Sequence, residues 1–261
     1  MSNTPIRSRD NAVVKALAAL NRSPRERRER GQTVIDGAHL VAACVAAGQS
    51  IEILAISESA QESPEIIRLF DAATAGRRVV IDDGVFDALS PVASPSGIVA
   101  AIRTPPAERL PHLIVDAIVL DRVQEPGNAG SILRSARAVG LKTILATPQT
   151  VDLWSPKVLR GAMGAHFGLH IHQDVALEAL ATRATGLIIG TQADAPSSLY
   201  QADLRGPSIW ILGNEGAGIS ASANNVITTR LRIPLALGTE SLNVAAAAAI
   251  CLFEQQRQRQ A

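Results

Sequence analysis

The chain has 261 residues, of which 47% are hydrophobic and seven are aromatic, and its formal net charge is +1 at pH 7. This length fits one large or two modest domains, and the scarcity of aromatic residues predicts aliphatic, alanine-rich cores. No apolar leader follows Met1 and no apolar run is long enough to cross a bilayer, so we expect a soluble protein. Cys44 and Cys251 lie in apolar helical contexts, which is typical of buried thiols in a reducing cytoplasm.

Positive charge is concentrated at the N-terminus. The first 30 residues carry eight Lys and Arg against three acidic residues, and five arginines fall within nine positions: Arg22, Arg25, Arg27, Arg28 and Arg30. One interpretation is a solvated helix laced by Arg/Glu pairs. The second interpretation is an arm that binds phosphates. The sequence favours it, because only two acidic residues lie among the five arginines. No aromatic residue is interleaved, so contact with nucleic-acid backbone is expected rather than base stacking.

Strands and helices alternate along the first hundred residues, which predicts an α/β domain. Helices are expected at 10–21, 38–47, 64–75 and 83–89, with Asp10 capping the first, and strands at 33–36, 51–56, 78–81 and 97–102. Residues 104–112 contain a proline-rich stretch suited to a stiff linker. The predicted organisation is therefore an N-terminal domain at 1–103 and a second domain at 113–261.

The second domain opens with an apolar run, 114–120, that predicts a buried strand. A Pro-Gly turn follows, Asn128 is suited to cap a helix, and that helix is expected to end at Gly140. A strand, a glycine-bearing turn and a helix N-terminus can present backbone N–H groups to a ligand. Arg134 and Arg137 lie on one side of this helix. The alternatives are an ordinary tight turn and a dinucleotide site, although the G-x-G-x-x-G fingerprint is absent.

The remaining elements continue the alternation. Strands are expected at 143–146, 168–171, 187–191, 208–212 and 230–233, and helices from Ser155-Pro156, from Asp174 to about 185, and from 243 to about 256. Glycine-rich or polar loops follow three of the strands, at 121–128, 213–220 and 234–243. In an open α/β sheet, ligands bind beyond the carboxyl ends of strands, so these loops are expected to gather at one edge.

Together the three loops carry a specific pattern: Asp121–Arg134 (DRVQEPGNAGSILR), Leu212–Ile219 (LGNEGAGI) and Ile233–Val244, which contains IP and ESLNV. This set closely resembles the three motifs of the SpoU (TrmH-like) RNA ribose methyltransferases of the SPOUT superfamily. Residues 6–102 also resemble the small L30e-like substrate-binding domain of many members. The resemblance implies an α/β fold whose C-terminal parallel sheet contains a deep trefoil knot.

The same resemblance implies an activity and its partners. S-adenosylmethionine would donate a methyl group to a ribose 2′-hydroxyl of structured RNA, most simply ribosomal RNA, with transfer RNA second. The family acts as a homodimer and uses no metal ion.

Site residues follow from the motif positions. Arg134 matches the catalytic arginine, and because guanidinium stays protonated we expect it to bind the ribose oxygen or phosphate and stabilise developing negative charge. Four other positions would shape the pocket or orient Arg134 and the RNA: Asn128, Glu215, Ser241 and Asn243. The cofactor would contact Thr191, Gly213, Gly216, Ile233, Leu242 and Asn243. The N-terminal arginines and Arg137 would contact RNA.

Three positions depart from the family pattern, namely Glu125, Ala162 and Ala245. Other classes stay open: a catalytically silent RNA-binding module with this fold, and a dinucleotide-dependent oxidoreductase, which the missing fingerprint disfavours. A metal site at His166, His170 and His172 is disfavoured, because no nearby cysteine or carboxylate completes the ligand set.

Overall fold

The computed structural model describes residues 4–89, 96–106 and 109–260. The chain divides into two units. The first comprises Met1–Pro106 and Trp154–Phe167, and the second Ala107–Leu153 and Gly168–Ala261. The expected linker includes positions 107 and 108, which lie outside the described residues. The sequence predicted an uninterrupted second domain, whereas a 14-residue segment of it groups here with the first unit; the domain boundaries stay a prediction.

The secondary structure is given in chain order. The first half contains α1 (Ala12–Arg22), α2 (Pro24–Arg30), β1 (Gln32–Asp36), α3 (Ala38–Ala46), β2 (Ile51–Ser57), α4 (Pro64–Ala72), β3 (Ala75–Ile81), α5 (Asp83–Phe86) and β4 (Ile98–Arg103). The second half contains β5 (Ala117–Leu120), α6 (Pro126–Ala138), β6 (Thr143–Ala146), α7 (Pro156–Ala162), β7 (His170–His172), α8 (Glu178–Arg183), β8 (Leu187–Thr191), β9 (Ser197–Ser198), β10 (Ser208–Leu212), α9 (Ala221–Val226), β11 (Thr229–Arg232) and α10 (Val244–Gln260).

The first unit is built on a four-stranded sheet in the order β1-β4-β2-β3. Only the β2/β3 pair is parallel. Successive side chains of a strand point to opposite faces, and the two faces accordingly bury separate cores. Val34 packs with the apolar stripe of α1, while Ile35 packs with residues of α3 and α4 and with Leu159 of α7.

The second unit contains a seven-stranded sheet in the order β7-β6-β5-β10-β8-β11-β9. All of its strand pairs are parallel. The central strands β5 and β10 are buried along their whole length, as expected for parallel strands covered on both faces. The α/β fold predicted from the sequence is confirmed, and the loops that follow β5, β8, β10 and β11 leave the sheet at one edge.

Some local predictions were wrong for identifiable reasons. Asn11, not Asp10, caps α1 by accepting from Val13 N at 2.9 Å, and Asp10 instead pairs with Lys15. Asp174 has a positive φ of 55° and caps no helix, because α8 begins only at Glu178. The arginine-rich segment forms α2, with Ser23 as its cap, and the contact of its arginines with nucleic-acid backbone stays a prediction.

No helix in the described ranges is long and apolar enough to span a bilayer. Both cysteines are buried free thiols. Burial raises the pKa of Cys44 to about 11 and that of Cys251 to about 12.

Candidate active site

The start of α6 differs from the prediction in a way that matters for the site. Glu125 is the N-cap, accepting from Gly127 N, and Pro126 occupies the first helical position, where its missing N–H costs nothing. The prediction that Asn128 caps this helix was therefore wrong. Asn128 lies in the first turn instead, and its side chain is available to other loops.

Asn128 joins the three motif loops. Its Nδ2 donates to Glu215 Oε1 in the loop after β10, at 2.9 Å. Its Oδ1 accepts from Asn243 Nδ2, also at 2.9 Å. Asn243 caps α10, because its Oδ1 accepts from the backbone N–H groups of Ala245 and Ala246. Three predicted site residues that are far apart in the sequence thus form one continuous chain of hydrogen bonds.

The donors and acceptors of these hydrogen bonds can be arranged in only one direction, from Asn243 through Asn128 to Glu215. The helix N–H groups fix the oxygen of the Asn243 amide, so its NH₂ group must face Asn128. Asn128 then accepts from Asn243 and must donate at its other end. An ionised carboxylate can only accept, so Glu215 is the residue type that terminates the chain correctly. A helix N-terminus is in this way connected to a carboxylate across three loops.

The loop that carries Glu215 is fixed at both ends by the two residues that follow β5. Asn214 Nδ2 donates to the backbone oxygen of Arg122 at 2.9 Å. At the other end, Ser220 N donates to Asp121 Oδ2 at 2.6 Å. Asp121 is 1% exposed. Between these points, reciprocal backbone hydrogen bonds between Asn214 and Gly218 close the loop on itself.

Arg122 adopts a left-handed conformation, with φ of 58°, which is uncommon for a non-glycine residue. Its N–H donates to Thr147 Oγ1, its carbonyl accepts from Asn214, and its guanidinium lies 3.7 Å from Asp121 Oδ1. Backbone in a sparsely populated region persists when its surroundings determine it. Asp121, Arg122 and Asn214 were missed as site residues because a buried aspartate and an asparagine turn look structural in sequence.

A cavity of about 410 Å³ lies beside this network. Its walls come from the loops after β8, β10 and β11 and from the start of α10. Seven predicted site residues line it: Thr191, Gly213, Glu215, Gly216, Ile233, Ser241 and Leu242. The volume is within the range of small-molecule pockets.

Gly213 is required at the floor of this cavity. A Cβ there would lie 2.5 Å from the backbone carbon of Gly218, closer than any real contact. The backbone of the Glu215 loop therefore approaches the end of β10 at a distance that only glycine permits.

Arg134 is exposed on α6, one and a half turns beyond Asn128. Within the described residues its guanidinium makes no hydrogen bond or ion pair, so it is available to a ligand. Arg137 lies against Gly168, where a Cβ would overlap its guanidinium. The structure does not connect either arginine to the Asn128 chain.

In the first unit, the five predicted arginines do not share one environment. Arg25 and Arg30 pair with Glu29 and Glu26 at i,i+4 spacing. Arg27 is 6% exposed and donates to the backbone oxygen of Leu20, so it stabilises the α1–α2 junction. Arg22 and Arg28 are exposed.

The structure also gives the surroundings of two of the histidines considered for a metal site and of two residues that depart from the family pattern. In the described ranges, no group of three or more His, Cys, Asp or Glu side chains is arranged to hold a metal ion. His166 and His172 are buried. Ala162 is fully buried, and Glu125 serves as the α6 cap.

Two family models match the chain. The SpoU rRNA methylase family matches residues 116–253, and the MRM3-like substrate-binding domain matches residues 11–100. The first match contains all three motif loops, and the second contains β1 to β3 and the first half of β4.

The chain is similar along nearly its full length to curated methyltransferases. An uncharacterised tRNA/rRNA methyltransferase of Synechocystis is 34% identical over 97% of this chain and 94% of its own length. The 23S rRNA (guanosine(2553)-2′-O)-methyltransferase RlmP of Bacillus subtilis is 32% identical over 95% of this chain and 97% of its own.

Solved structures agree with the fold. A crystal structure of an RNA 2′-O ribose methyltransferase superposes with a TM-score of 0.84 at 29% identity, covering 99% of this chain and 100% of that one. The SpoU methyltransferase AviRb of Streptomyces viridochromogenes, in complex with AdoMet, superposes with a TM-score of 0.86 at 25% identity, covering 96% and 99%.

Proposed function

The chain belongs to the SpoU rRNA methylase family, and on that premise we propose that it transfers the methyl group of S-adenosylmethionine to a ribose 2′-hydroxyl of ribosomal RNA. The observation that carries this proposal is the hydrogen-bond chain from Glu215 through Asn128 to Asn243, beside the 410 Å³ cavity. It brings the three motifs into one place with consistent donor and acceptor roles.

The cavity suits S-adenosylmethionine, whose sulfonium supplies an electrophilic methyl group when it is bound. Backbone groups of the loops after β10 and β11 would hold the cofactor, since Gly213, Gly216 and Gly218 expose backbone at the cavity wall. Ile233 and Leu242 offer apolar surface. The deep trefoil knot implied by the family stays a prediction.

Arg134 would bind the RNA at the reacting ribose. Methyl transfer needs an oxygen nucleophile on which negative charge develops, held close to the methyl carbon. A permanently protonated guanidinium stabilises that charge and a neighbouring phosphate, without acting as a base. Ser241, Asn128 and Asn243 would orient the ribose and the arginine.

The first unit would bind structured RNA through shape and phosphate contacts. We assign these contacts to Arg22, Arg25, Arg28 and Arg30, with Arg137 in the second unit. The burial of Arg27 makes it a structural residue in this proposal. The family's homodimeric state is part of the proposal, to be tested by light scattering, and so is a cytoplasmic location.

Transfer of labelled methyl groups from S-adenosylmethionine to deproteinised total RNA, fractionated by size, tests this function. Label in ribosomal RNA that survives alkaline hydrolysis as a dinucleotide would support ribose methylation, because 2′-O-methylation blocks cleavage. Label in transfer RNA would move the substrate class to the second candidate. Cofactor binding without label on free RNA or ribosomal particles would favour the silent RNA-binding protein.

A further inference from the structure

The side chains that line the cavity beside the Glu215–Asn128–Asn243 hydrogen bonds carry negative charge without positive charge. Glu215 and Glu240 line it, whereas no Lys, Arg or His side chain does among the described residues. The other polar groups of the wall are neutral amides, hydroxyls and backbone. Two carboxylates without a basic side chain give the wall of the cavity a negative charge, whose field the low-dielectric walls of a cleft concentrate.

Three arginines lie close to the cavity in the sequence, and within the described residues none of them pairs with Glu215 or Glu240. The Arg232 guanidinium donates to the backbone oxygens of Ala195 and Pro196. Arg230 donates to Asn224, and Arg122 lies beside Asp121. Each of these cations is held by other groups of the second unit.

The two carboxylates are in different situations. Glu215 accepts from Asn128 through Oε1, so it is held in place by the hydrogen-bond chain. Glu240 is exposed, directly precedes Ser241, and makes no hydrogen bond or ion pair within the part of the chain that the structure describes. Glu240 is therefore free to respond to the charge of a ligand, and it has no other structural task.

The charge of the cofactor changes during the proposed reaction. S-adenosylmethionine carries a sulfonium, an ammonium and a carboxylate, so its net charge is positive. Loss of the methyl group leaves S-adenosylhomocysteine, in which the sulfur is a neutral thioether and the net charge is zero. The two molecules otherwise have nearly the same shape, so charge is the main property by which a pocket can tell them apart.

From these observations we infer that Glu240, together with Glu215, makes the cavity select S-adenosylmethionine over S-adenosylhomocysteine. This inference rests on the proposed function and adds a specificity-determining residue to it. A cavity of 410 Å³ taken as a sphere is roughly 9 Å across, so a sulfonium near its centre lies within about one Debye length, 8 Å, of the two carboxylates that line it. Removal of the methyl group then weakens binding, which promotes exchange of product for fresh cofactor.

Calorimetric titration of both ligands into the wild type, Glu240→Gln and Glu240→Asp tests the inference. In the Gln variant the dissociation constant for S-adenosylmethionine should rise about three- to tenfold, while that for S-adenosylhomocysteine stays nearly constant. The Asp variant keeps the charge and should keep the selectivity. An analogue with an amine-bearing carbon in place of the sulfonium should behave like S-adenosylmethionine.

Glu178→Gln is the matched control, because it makes the same substitution at an exposed position whose neighbours in the chain do not line the cavity. It should leave both constants unchanged, and the effect of Glu240→Gln should shrink at high salt. Equal changes for both ligands, or none, would overturn the inference and leave the proposed function standing. A wild type that binds neither ligand would overturn both.

Discussion

Asn243 donates a 2.9 Å hydrogen bond to Asn128, although 115 residues separate them in the chain. The bond joins the cap of α10 to the first turn of α6, and through Asn128 it reaches Glu215. Neither helix could keep its N-terminus in this place alone. The relationship makes the position of the proposed catalytic elements depend on the orientation of two amide groups.

Replacing Asn243 with Asp should disturb this orientation. Aspartate still caps α10, but it faces Asn128 with an acceptor where an NH₂ donor stood. Asn128 must then turn its own oxygen towards Glu215 or lose a partner. Because these groups are partly exposed, we expect a loss of about 1 kcal/mol in the free energy of unfolding, together with weaker cofactor binding, measured by denaturant titration and calorimetry.

Asn243→Ser is the control for that variant, since serine caps helices without placing a charge near Asn128. An Asp variant as stable as the wild type, with unchanged cofactor affinity, would contradict the directional account of the chain.

Asp121→Ala should destabilise the protein by about 2 kcal/mol, because it removes a carboxylate that is 1% exposed and leaves the partly buried Ser220 N–H without its acceptor. It also releases one end of the Glu215 loop. The Kd for S-adenosylmethionine should therefore rise even under conditions where the variant is fully folded. Asp121→Asn retains an acceptor, so its stability and its Kd for S-adenosylmethionine should lie between those of the wild type and Asp121→Ala. Unchanged cofactor affinity in folded Asp121→Ala would separate this aspartate from the site.

Arg134→Ala should remove activity with little effect on stability. Its guanidinium has no partner within the described residues, so its loss should change the free energy of unfolding by no more than about 0.5 kcal/mol. We expect kcat/KM to fall by about 10²- to 10³-fold, as when a donor to a developing oxyanion is removed. Cofactor affinity should be unaffected. Arg134→Lys should recover little, since lysine lacks the planar pair of donors; near-wild-type turnover in either variant would refute the assigned role.

The first unit should not be stable as residues 1–106 alone. The segment Trp154–Phe167 groups with it: Trp154 O accepts from Thr33 Oγ1, Arg160 pairs with Asp36 at 2.8 Å, and Leu159 is buried in its core. A fragment without this segment exposes apolar surface around Ile35 and leaves a largely buried carboxylate without its arginine. Thermal melting followed by circular dichroism should give the fragment a lower melting temperature than the full chain. Addition of a peptide covering 154–167 should raise the melting temperature of the fragment.

Glu254 gives a prediction for pH. Hydrogen bonds from Arg257 and Gln258 lower its pKa to about 2. Since the folded pKa is depressed, the stabilisation is present above the unfolded value of about 4.3 and is lost as the pH falls towards 2. The difference in melting temperature between the wild type and Glu254→Gln should thus be largest near pH 6 and shrink at pH 3. A difference that is constant over this range would exclude the charge as its cause.

The sequence predicted the strands that contain apolar runs, and β6, β8 and β10 have the predicted bounds. It predicted neither β9, which consists of two serines, nor the short helix α9. It placed helix ends less well where several residues could cap. At α6, Glu125, with Pro126 directly after it, takes the role expected of Asn128, and that choice depends on what Asn128 contacts 87 and 115 residues away. The motif residues were identified through the family pattern. Asp121 and Arg122 belong to the first motif, but their hydrogen bonds to Ser220, Asn214 and Thr147 depend on distant loops, which no local pattern reveals.

The arrangement of the second sheet also sets an order for biosynthesis. β5 is made early, but its neighbour β10 and the helix α10 come from the last quarter of the chain. A ribosome that is still translating α10 therefore carries a nascent chain with no complete cavity, and stalled or C-terminally clipped products should be unable to bind the cofactor.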